Sequence, residues 1–324
     1  MPDNIKTLPE SIHFTLHEIT AGVFAAISKA ESGAMGNAGI IDLGERVIIF
    51  DTFETPTAAE DLRIASEYLT GKPATWVVNS HSHSDHWFGN QVFLQGSIVI
   101  SSQTAAKLMN EYIGEVEEEK SDPSELVEFL QDQINQLETE TDQNIRRVLK
   151  SSIARWESYL KSLPNLKLRL PEQLFTKKIV FHGSERCVEL IDMGTVHSPG
   201  DCILTIPSED LAFIGDIGFF HQLPFMADCD PQKWVSTLSE LKNSNFVVFI
   251  PGHGPVGNVN DLETIEEYIL ILRKLVTDAI SSGESVEYVL SNQLPEPFRT
   301  WSNGSPRMEV NTKAMFEYLT NTMD

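Results

Sequence analysis

The feature that most constrains this chain is a dense run of potential metal ligands directly after a short apolar segment. Residues 75–79 (TWVVN) predict a strand buried on both faces, and His81, His83, Asp85 and His86 follow it closely. Side chains alternate along extended backbone, so His81 and His83 can face one metal ion, and Asp85 and His86, at the following turn, a second. Zinc and similar divalent ions favour imidazole and carboxylate ligands. Without a metal, so many ionisable groups would be left unpaired, so the segment indicates a metal site.

Three further candidate ligands stand at the ends of predicted strands. His197 follows a strand that ends at Asp192, and Asp216 ends the apolar run FIGD. His253 lies in the segment PGHG after a strand predicted over 246–250. Single residues that project from several strand ends are a usual way for a sheet to converge on one site.

The rest of the chain predicts a mixed α/β frame with a helical insert. Strand patterns lie at 14–19, 22–27, 37–43, 46–51, 75–79, 97–101, 178–181, 187–192, 202–206, 211–214 and 246–250. A helix is predicted over 57–69, with Thr57 and Glu60 as a capping box. Residues 103–163 change to helical spacing and predict an inserted helical hairpin. We therefore expect one domain over 1–324, with a helical C-terminal region from about 260 to 324.

The order of these motifs resembles that of the metallo-β-lactamase superfamily, also called the glyoxalase II-like hydrolases. The matching positions span roughly residues 16–255 and are Asp51, His81, His83, Asp85, His86, His197, Asp216 and His253. The resemblance implies an αββα four-layer sandwich, with two face-to-face sheets and helices outside. It is specific for the fold and the metal site, and much less so for the substrate.

The resemblance also implies two sets of ligands. One metal ion would be held by His81, His83 and His197, and the other by Asp85, His86 and His253. Asp216 would bridge the two ions, and Asp51 would orient a ligand imidazole. The expected cofactor is a pair of divalent ions, with Zn²⁺ first and Mn²⁺ or Fe²⁺ as alternatives. Asp85 and Asp216 are also the expected catalytic residues, beside a bridging hydroxide that attacks the substrate.

Departures from the family pattern narrow the expected chemistry. Many true metallo-β-lactamases carry Cys or Ser where this chain has Asp216, and some lack a ligand at the position of His86. The set looks more like that of thioesterases and lactonases, so a small ester, thioester or lactone is the expected substrate. Three alternatives stay open: a mononuclear-iron oxidoreductase that resembles persulfide dioxygenases, a β-lactam hydrolase, and a non-catalytic binding protein.

Four aromatic residues and one methionine beside the motifs allow two interpretations. They either line an apolar substrate pocket or belong to the core, and they are Trp87, Phe219, Phe220, Phe225 and Met226. His221 could contact the substrate or be structural. The insert is expected either to cover the mouth of the site as a lid or to form a contact in a homodimer.

Charge and composition exclude some partners. The chain has 24 Lys and Arg against 47 Asp and Glu, a net charge of −23 that disfavours nucleic acid. There is no Arg/Lys cluster near the motifs, and the nearest basic pair is Arg273–Lys274. No apolar run reaches the roughly 18 residues of a membrane span. Three separated cysteines and an N-terminus without secretory features favour a cytoplasmic protein that acts on a small molecule.

Overall fold

The computed structural model describes residues 7–93, 96–292, 294–302 and 306–323. Residues 1–6, part of the segment in which no secretory signal is expected, lie outside this part. Its strands are β1 (Phe14–Thr20), β2 (Val23–Ser28), β3 (Ala38–Asp42), β4 (Val47–Phe50), β5 (Trp76–Val78), β6 (Ile98–Ser102), β7 (Gln173–Phe175), β8 (Lys178–His182), β9 (Cys187–Thr195), β10 (Pro199–Ile206), β11 (Leu211–Phe219) and β12 (Val248–His253). Its helices are α1 (Pro56–Thr70), α2 (Gln103–Ser121), α3 (Ser124–Thr139), α4 (Gln143–Ser162), α5 (Pro231–Lys242), α6 (Val259–Ser282), α7 (Val286–Ser291), α8 (Phe298–Ser302) and α9 (Arg307–Met323).

Two sheets form the centre of the molecule. The first contains seven strands in the order β1 to β7, antiparallel up to β4 and parallel from β4 to β7. The second contains five strands in the order β12-β11-β10-β9-β8, and only its β11–β12 pair is parallel. Ile41 and Phe50 from the first sheet share one buried cluster with Leu204 and Phe213 from the second. The main core therefore lies between the sheets.

Helices cover the outer faces of both sheets. Ala58 and Leu62 of α1 join the cluster under the first sheet, and Trp234 of α5 and Ile269 of α6 join the cluster under the second. The predicted αββα sandwich is confirmed, because an apolar helix face closes each sheet. None of the helices in the described part of the chain combines the length and apolar character of a membrane span.

Helix α1 begins slightly earlier than the sequence predicted. Its N-cap is Thr55, whose side chain accepts a hydrogen bond from the Ala58 N–H, and Pro56 occupies the first turn. The predicted capping box of Thr57 and Glu60 is therefore wrong. Proline has no N–H and a fixed φ, so it suits the first helical position and places the cap directly before it.

The insert 103–163 contains three helices, α2, α3 and α4, where a two-helix hairpin was predicted. The extra helix is α2, which continues from β6 and ends at Asp122. The inner faces of α2 and α4 pack with Trp87 and Phe88 in a small cluster of their own. Helix α3 has no fully buried residue. The insert is therefore a thin layer attached to the sandwich through α2 and α4.

Helix α9 is fixed to the chain that follows β11. The buried Asn311 donates a hydrogen bond to the Pro224 carbonyl at 2.9 Å and accepts one from the Met226 N–H at 3.1 Å. An amide side chain that forms hydrogen bonds with both a carbonyl and an N–H of a loop holds that loop in a fixed position against the helix. The C-terminal helix thus borders the loop that runs on from Asp216.

Candidate metal centre

The predicted ligands converge at one edge of the two sheets. The first four lie after β5, His197 lies between β9 and β10, and His253 is the last residue of β12. Asp216 lies within β11, three residues before the strand ends, because the strand continues beyond its predicted end. Six of the side chains are buried and one is partly exposed: His81, Asp85, His86, His197, Asp216 and His253 are buried, and His83 is intermediate. The structure thus brings all seven residues together, although they span 81–253 in sequence.

Their ligand atoms form two clusters. One contains His81, His83, His197 and Asp216, the other contains Asp85, His86 and His253, and within each the atoms lie within 4.8 Å of one another. The carboxylate of Asp216 faces both. Its Oδ2 lies 3.3 Å from His197 Nε2 and 3.4 Å from His253 Nε2, and its Oδ1 lies 3.1 Å from His86 Nε2. Asp216 therefore stands where a bridging ligand would.

Asp51 fixes two of the imidazoles from outside the clusters. His86 Nδ1 donates to Asp51 Oδ2 at 2.8 Å. The Ser80 hydroxyl donates to the same carboxylate at 2.8 Å and lies 2.9 Å from His81 Nδ1. Asp51 has a φ of 60°, in the left-handed region that Asp and Asn tolerate better than most residues. In the neutral form of each ring, these contacts place the proton on the outer nitrogen and direct the Nε2 lone pair inward.

Two other imidazoles have outer partners that the sequence did not reveal. His197 Nδ1 donates to the Phe225 carbonyl at 3.0 Å, and His83 Nε2 donates to Asp228 Oδ2 at 3.2 Å. As a result His197 Nε2 and His83 Nδ1 face each other at 3.0 Å. Asp228 carries no motif signal, because it reaches His83 only through the fold.

Several buried ligand atoms make no hydrogen bond, which shows whether these residues suit metal ions. His81 Nε2, His86 Nε2 and Asp216 Oδ1 are buried and make no hydrogen bond. A buried polar atom without a partner costs free energy unless a metal or another group binds it. Imidazole nitrogens and carboxylate oxygens are suitable ligands for zinc-like divalent ions. The two clusters therefore fit a dinuclear metal site.

Burial and neighbouring charges shift the pKa values of the ionisable groups in the two clusters. Burial opposes the charge on Asp216, but His253, His86 and His81 outweigh it and hold the pKa of that carboxyl well below its usual range. Burial also opposes the charge on His86, but nearby carboxylates, Asp216 first, raise its pKa well above the ordinary value. Burial lowers the pKa of His197 to about 3. The cavity around Asp216 is thus organised to hold positive charge.

Gly252 makes room for the bridging carboxylate. A Cβ atom at this position would lie 1.9 Å from Asp216 Oδ1. Asn37 holds the same turn, because its side-chain NH₂ donates to the carbonyls of Pro251 and Gly254 at 2.9 Å each. Glycine before His253 is therefore required by contact, since any side chain would displace Asp216.

A cavity of about 310 Å³ opens over the clusters. It exposes Asp85, Asp216 and His253, and its other described walls are Met35, His83, Ser84, Tyr112, Arg155, Phe219, Phe225, Pro306, Arg307 and Val310. Tyr112 comes from α2 and Arg155 from α4. The insert therefore lies beside the mouth of the site.

The structure decides which of the aromatic residues line the pocket and which belong only to the core. Phe219 and Phe225 line it, and Phe219 also belongs to the core, as do Trp87, Phe220 and Met226. His221 is exposed, pairs with Asp261 at 3.2 Å and is not among the described lining residues.

The structure adds two basic residues that the sequence near the motifs did not reveal. Arg155 and Arg307 line the cavity, and Arg273–Lys274 is not among its described lining residues. Both arginines are remote in sequence from the motifs, so no local pattern could have identified them.

Comparison with known proteins decides the family. The family model described as the metallo-beta-lactamase superfamily matches residues 32–253. This chain belongs to the metallo-β-lactamase superfamily. The matched range contains all seven predicted ligands and Asp51.

Solved structures of the superfamily share the fold at low sequence identity. A metallo-beta-lactamase from Pontibacter korlensis has a TM-score of 0.56 and 16% identity, covering 78% of this chain and 99% of its own. VMB-1 has a TM-score of 0.55 and 15% identity, covering 81% and 98%. The mono-zinc form of the metallo-beta-lactamase FIM-1 from Pseudomonas aeruginosa has a TM-score of 0.53 and 17% identity, covering 81% and 98%. No curated protein matches the chain. At these identities the solved structures support the fold alone.

Proposed function

We propose that this chain is a metal-dependent hydrolase with a dinuclear site. The observation that carries the proposal is the convergence of seven buried or half-buried ligands around Asp216, with inward atoms that lack hydrogen bonds. Two divalent ions bound there, with zinc as the first candidate, would lower the pKa of water toward 7 and polarise a carbonyl oxygen. A complete Asp85, His86 and His253 cluster favours two ions over a single iron.

The protein's own residues hold the ligands in position. Asp51 and Asp228 fix His86 and His83 from outside, so the ligand geometry does not depend on the substrate. Asp85 and Asp216 are the carboxylates that face the cavity, and we assign them the catalytic role.

The proposed substrate is a small ester, thioester or lactone. Met35, Phe219, Phe225 and Val310 supply apolar wall around the clusters, which suits an acyl group of a few carbons. A cavity of about 310 Å³ lies at the lower end of the range for ligand pockets, so it limits the size of the reacting part.

Metal analysis followed by a substrate panel tests the proposal. Purified protein should contain about two metal ions per chain by elemental analysis, and it should hydrolyse at least one short ester, thioester or lactone. His81→Ala should remove that activity. Turnover of a β-lactam or phosphodiester with none of any carboxylic ester would reject the substrate class. One bound iron and oxygen-dependent turnover would reject hydrolysis.

A further inference from the structure

His253 is held differently from the other four imidazoles of the site. Each of those four has an outer hydrogen-bonding partner. These are Ser80 for His81, Asp228 for His83, Asp51 for His86 and the Phe225 carbonyl for His197. Within the part of the chain that the structure describes, the outer nitrogen of His253, Nδ1, makes no hydrogen bond to the protein. The orientation of this ligand must therefore have another source.

The Phe219 ring lies flat against the imidazole of His253. The two ring centres are 4.8 Å apart, and the ring planes are inclined by only 9°. Strand register brings the rings together, because Phe219 is the last residue of β11 and pairs in parallel with His253, the last residue of β12. The Phe220 N–H also donates to the His253 carbonyl at 2.9 Å. The contact between the rings is therefore built into the sheet.

The Phe219 ring itself has little freedom to move. Its residue is 1% exposed and belongs to the core cluster beneath the second sheet. The Trp234 ring lies 6.4 Å from it, and the Arg307 guanidinium lies 5.3 Å from its centre. A closely packed aromatic ring keeps one orientation, so it can fix the plane of another ring that stacks on it.

Stacking determines where His253 points. Its Nε2 lies 3.2 Å from Asp85 Oδ2 and 3.4 Å from Asp216 Oδ2. A partial rotation of the imidazole about its Cβ–Cγ bond would tilt it out of the stack and move Nε2 away from both carboxylates. The ring of His86 also meets His253, edge-on at 5.6 Å, but it is a ligand of the same cluster. Phe219 is thus the support that lies outside the ligand set.

Phe219 also touches the other cluster, but there it is one support among several. Its ring centre lies 5.4 Å from that of His197, with the planes inclined by 51°. His197 has in addition the Phe225 carbonyl at 3.0 Å and an edge-on contact with Trp234 at 5.4 Å. Loss of the Phe219 ring should therefore affect the cluster that contains His253 first.

We propose that Phe219 is the positioning residue of His253. Its ring, stacked on the imidazole, does for this ligand what hydrogen-bonding partners do for the other four. The inference rests on the proposed dinuclear site, and it concerns metal binding rather than the reaction that follows. The role requires a flat aromatic ring, so an aliphatic side chain should not replace it.

Cobalt titration tests the role of the ring. Co²⁺ serves as a spectroscopic substitute for zinc, and the absorption band lost in His253→Ala marks the ion that this ligand binds. In Phe219→Leu that ion should bind roughly tenfold more weakly, as expected for loss of an aromatic pair or an outer partner, and the other ion should bind as in the wild type. Phe219→Tyr keeps the stacked ring and should retain the wild-type affinity for both ions.

Phe249→Leu is the matched control. Phe249 lies on β12, is 0% exposed and belongs to the same core cluster as Phe219, and within the described chain no ring contact joins it to the metal ligands. Urea unfolding should show a similar loss of stability in the two leucine variants, whereas only Phe219→Leu should weaken cobalt binding. If both variants weaken the ion at His253 equally, Phe219 contributes only to the core and the proposal is overturned.

The same titration separates this inference from the proposed function. Wild-type protein that binds no second Co²⁺ ion would overturn both the dinuclear site and the role of Phe219. Two bound ions with unchanged affinities in Phe219→Leu would overturn the role of Phe219 alone. Two bound ions without hydrolysis of any ester would reject the proposed function and leave this inference intact. If Phe219→Leu does not fold, Phe219→Met replaces it, because a flexible Met side chain fills a core but cannot stack as a flat ring.

Discussion

The sandwich and the insert are held together in different ways. The sandwich buries a continuous core between its sheets, and its strands and the loops that follow them carry all seven predicted ligands. The insert buries few side chains, α3 buries none completely, and the insert reaches the chemistry through Tyr112 and Arg155. The rigid part of the protein therefore positions the metal ligands, and the thinly packed part shapes the space beside them.

One ion pair links the two regions at the site. Glu54, which follows β4, is buried and accepts hydrogen bonds from Arg155 of α4, and the Ser84 hydroxyl donates to it at 3.2 Å. Ser84 lies between the ligands His83 and Asp85. The Glu54 carboxylate thus connects the wall of the pocket to the ligand segment, in addition to the apolar contacts that Trp87 and Phe88 make with the insert.

The largest effect should follow from removing the bridging carboxylate. Asp216→Ala should lower kcat/KM at least about a thousandfold and reduce the metal content, because loss of an outer partner alone usually costs 10- to 100-fold. Elemental analysis and steady-state kinetics measure both. His221→Asn, at an exposed residue outside the described walls, is the control and should keep both values. Two bound metals and near-normal turnover in Asp216→Ala would show that the sandwich does not supply this ligand.

Two phenylalanine truncations compare the packing of the regions directly. Phe213 is 1% exposed between the sheets, and Phe129 on α3 is 45% exposed. Phe213→Ala should lower the free energy of unfolding by about 3–5 kcal/mol, and Phe129→Ala by about 1 kcal/mol, because less apolar surface returns to water. Urea unfolding measures both. Similar losses would mean that the insert is packed as firmly as the sandwich.

Breaking the ion pair between the regions should have an intermediate effect. Arg155→Met leaves the buried Glu54 carboxylate without its cation and should cost about 2–3 kcal/mol, less than for a fully buried pair because 28% of the arginine side chain is exposed. Hydrogen exchange should accelerate in α4 before it does in the sheets. The double variant Arg155→Met/Glu54→Gln should recover part of the loss. No recovery would assign the loss to packing of the arginine rather than to the charge.

The smallest effect should come from the outer partner of two ligands. Asp51→Asn keeps a side chain that tolerates a φ of 60° but weakens the acceptor for His86, so zinc affinity should fall 10- to 100-fold. Competition with a chromophoric chelator measures this. Asp42→Asn, at a carboxylate paired with Lys72 away from the site, is the matched control. Equal zinc affinities in the two variants would show that Asp51 does not support metal binding.

The sequence was most informative where a ligand and its strand are adjacent. His81, His83, Asp85 and His86 follow one buried strand, so their spacing alone indicated the metal clusters. Arg155 and Arg307 could not be found in this way, because their role depends on how α4 and α9 dock. Asp228 was missed for the same reason, since it reaches His83 across 145 positions.

The insert shows a second limit of sequence patterns. The spacing of apolar residues after Asp122 indicated α3 and α4. The mostly acidic stretch 115–119 is compatible with either a helix or a loop, so the sequence did not show that a helix already runs from Gln103. An exposed helical face and a polar loop have similar composition, and only tertiary contacts such as those of the buried Met109 and Val116 distinguish them.

The carboxylates around His86 affect how the site binds a metal ion. Because they raise the pKa of this imidazole well above its ordinary value, they favour its protonated form until a metal ion binds. A metal ion needs the same nitrogen deprotonated, so filling the site is an exchange of cations. Uptake should release acid into the buffer, and calorimetry in buffers of different ionisation enthalpy would count the protons. Acidification should therefore drive the exchange backwards and weaken metal binding.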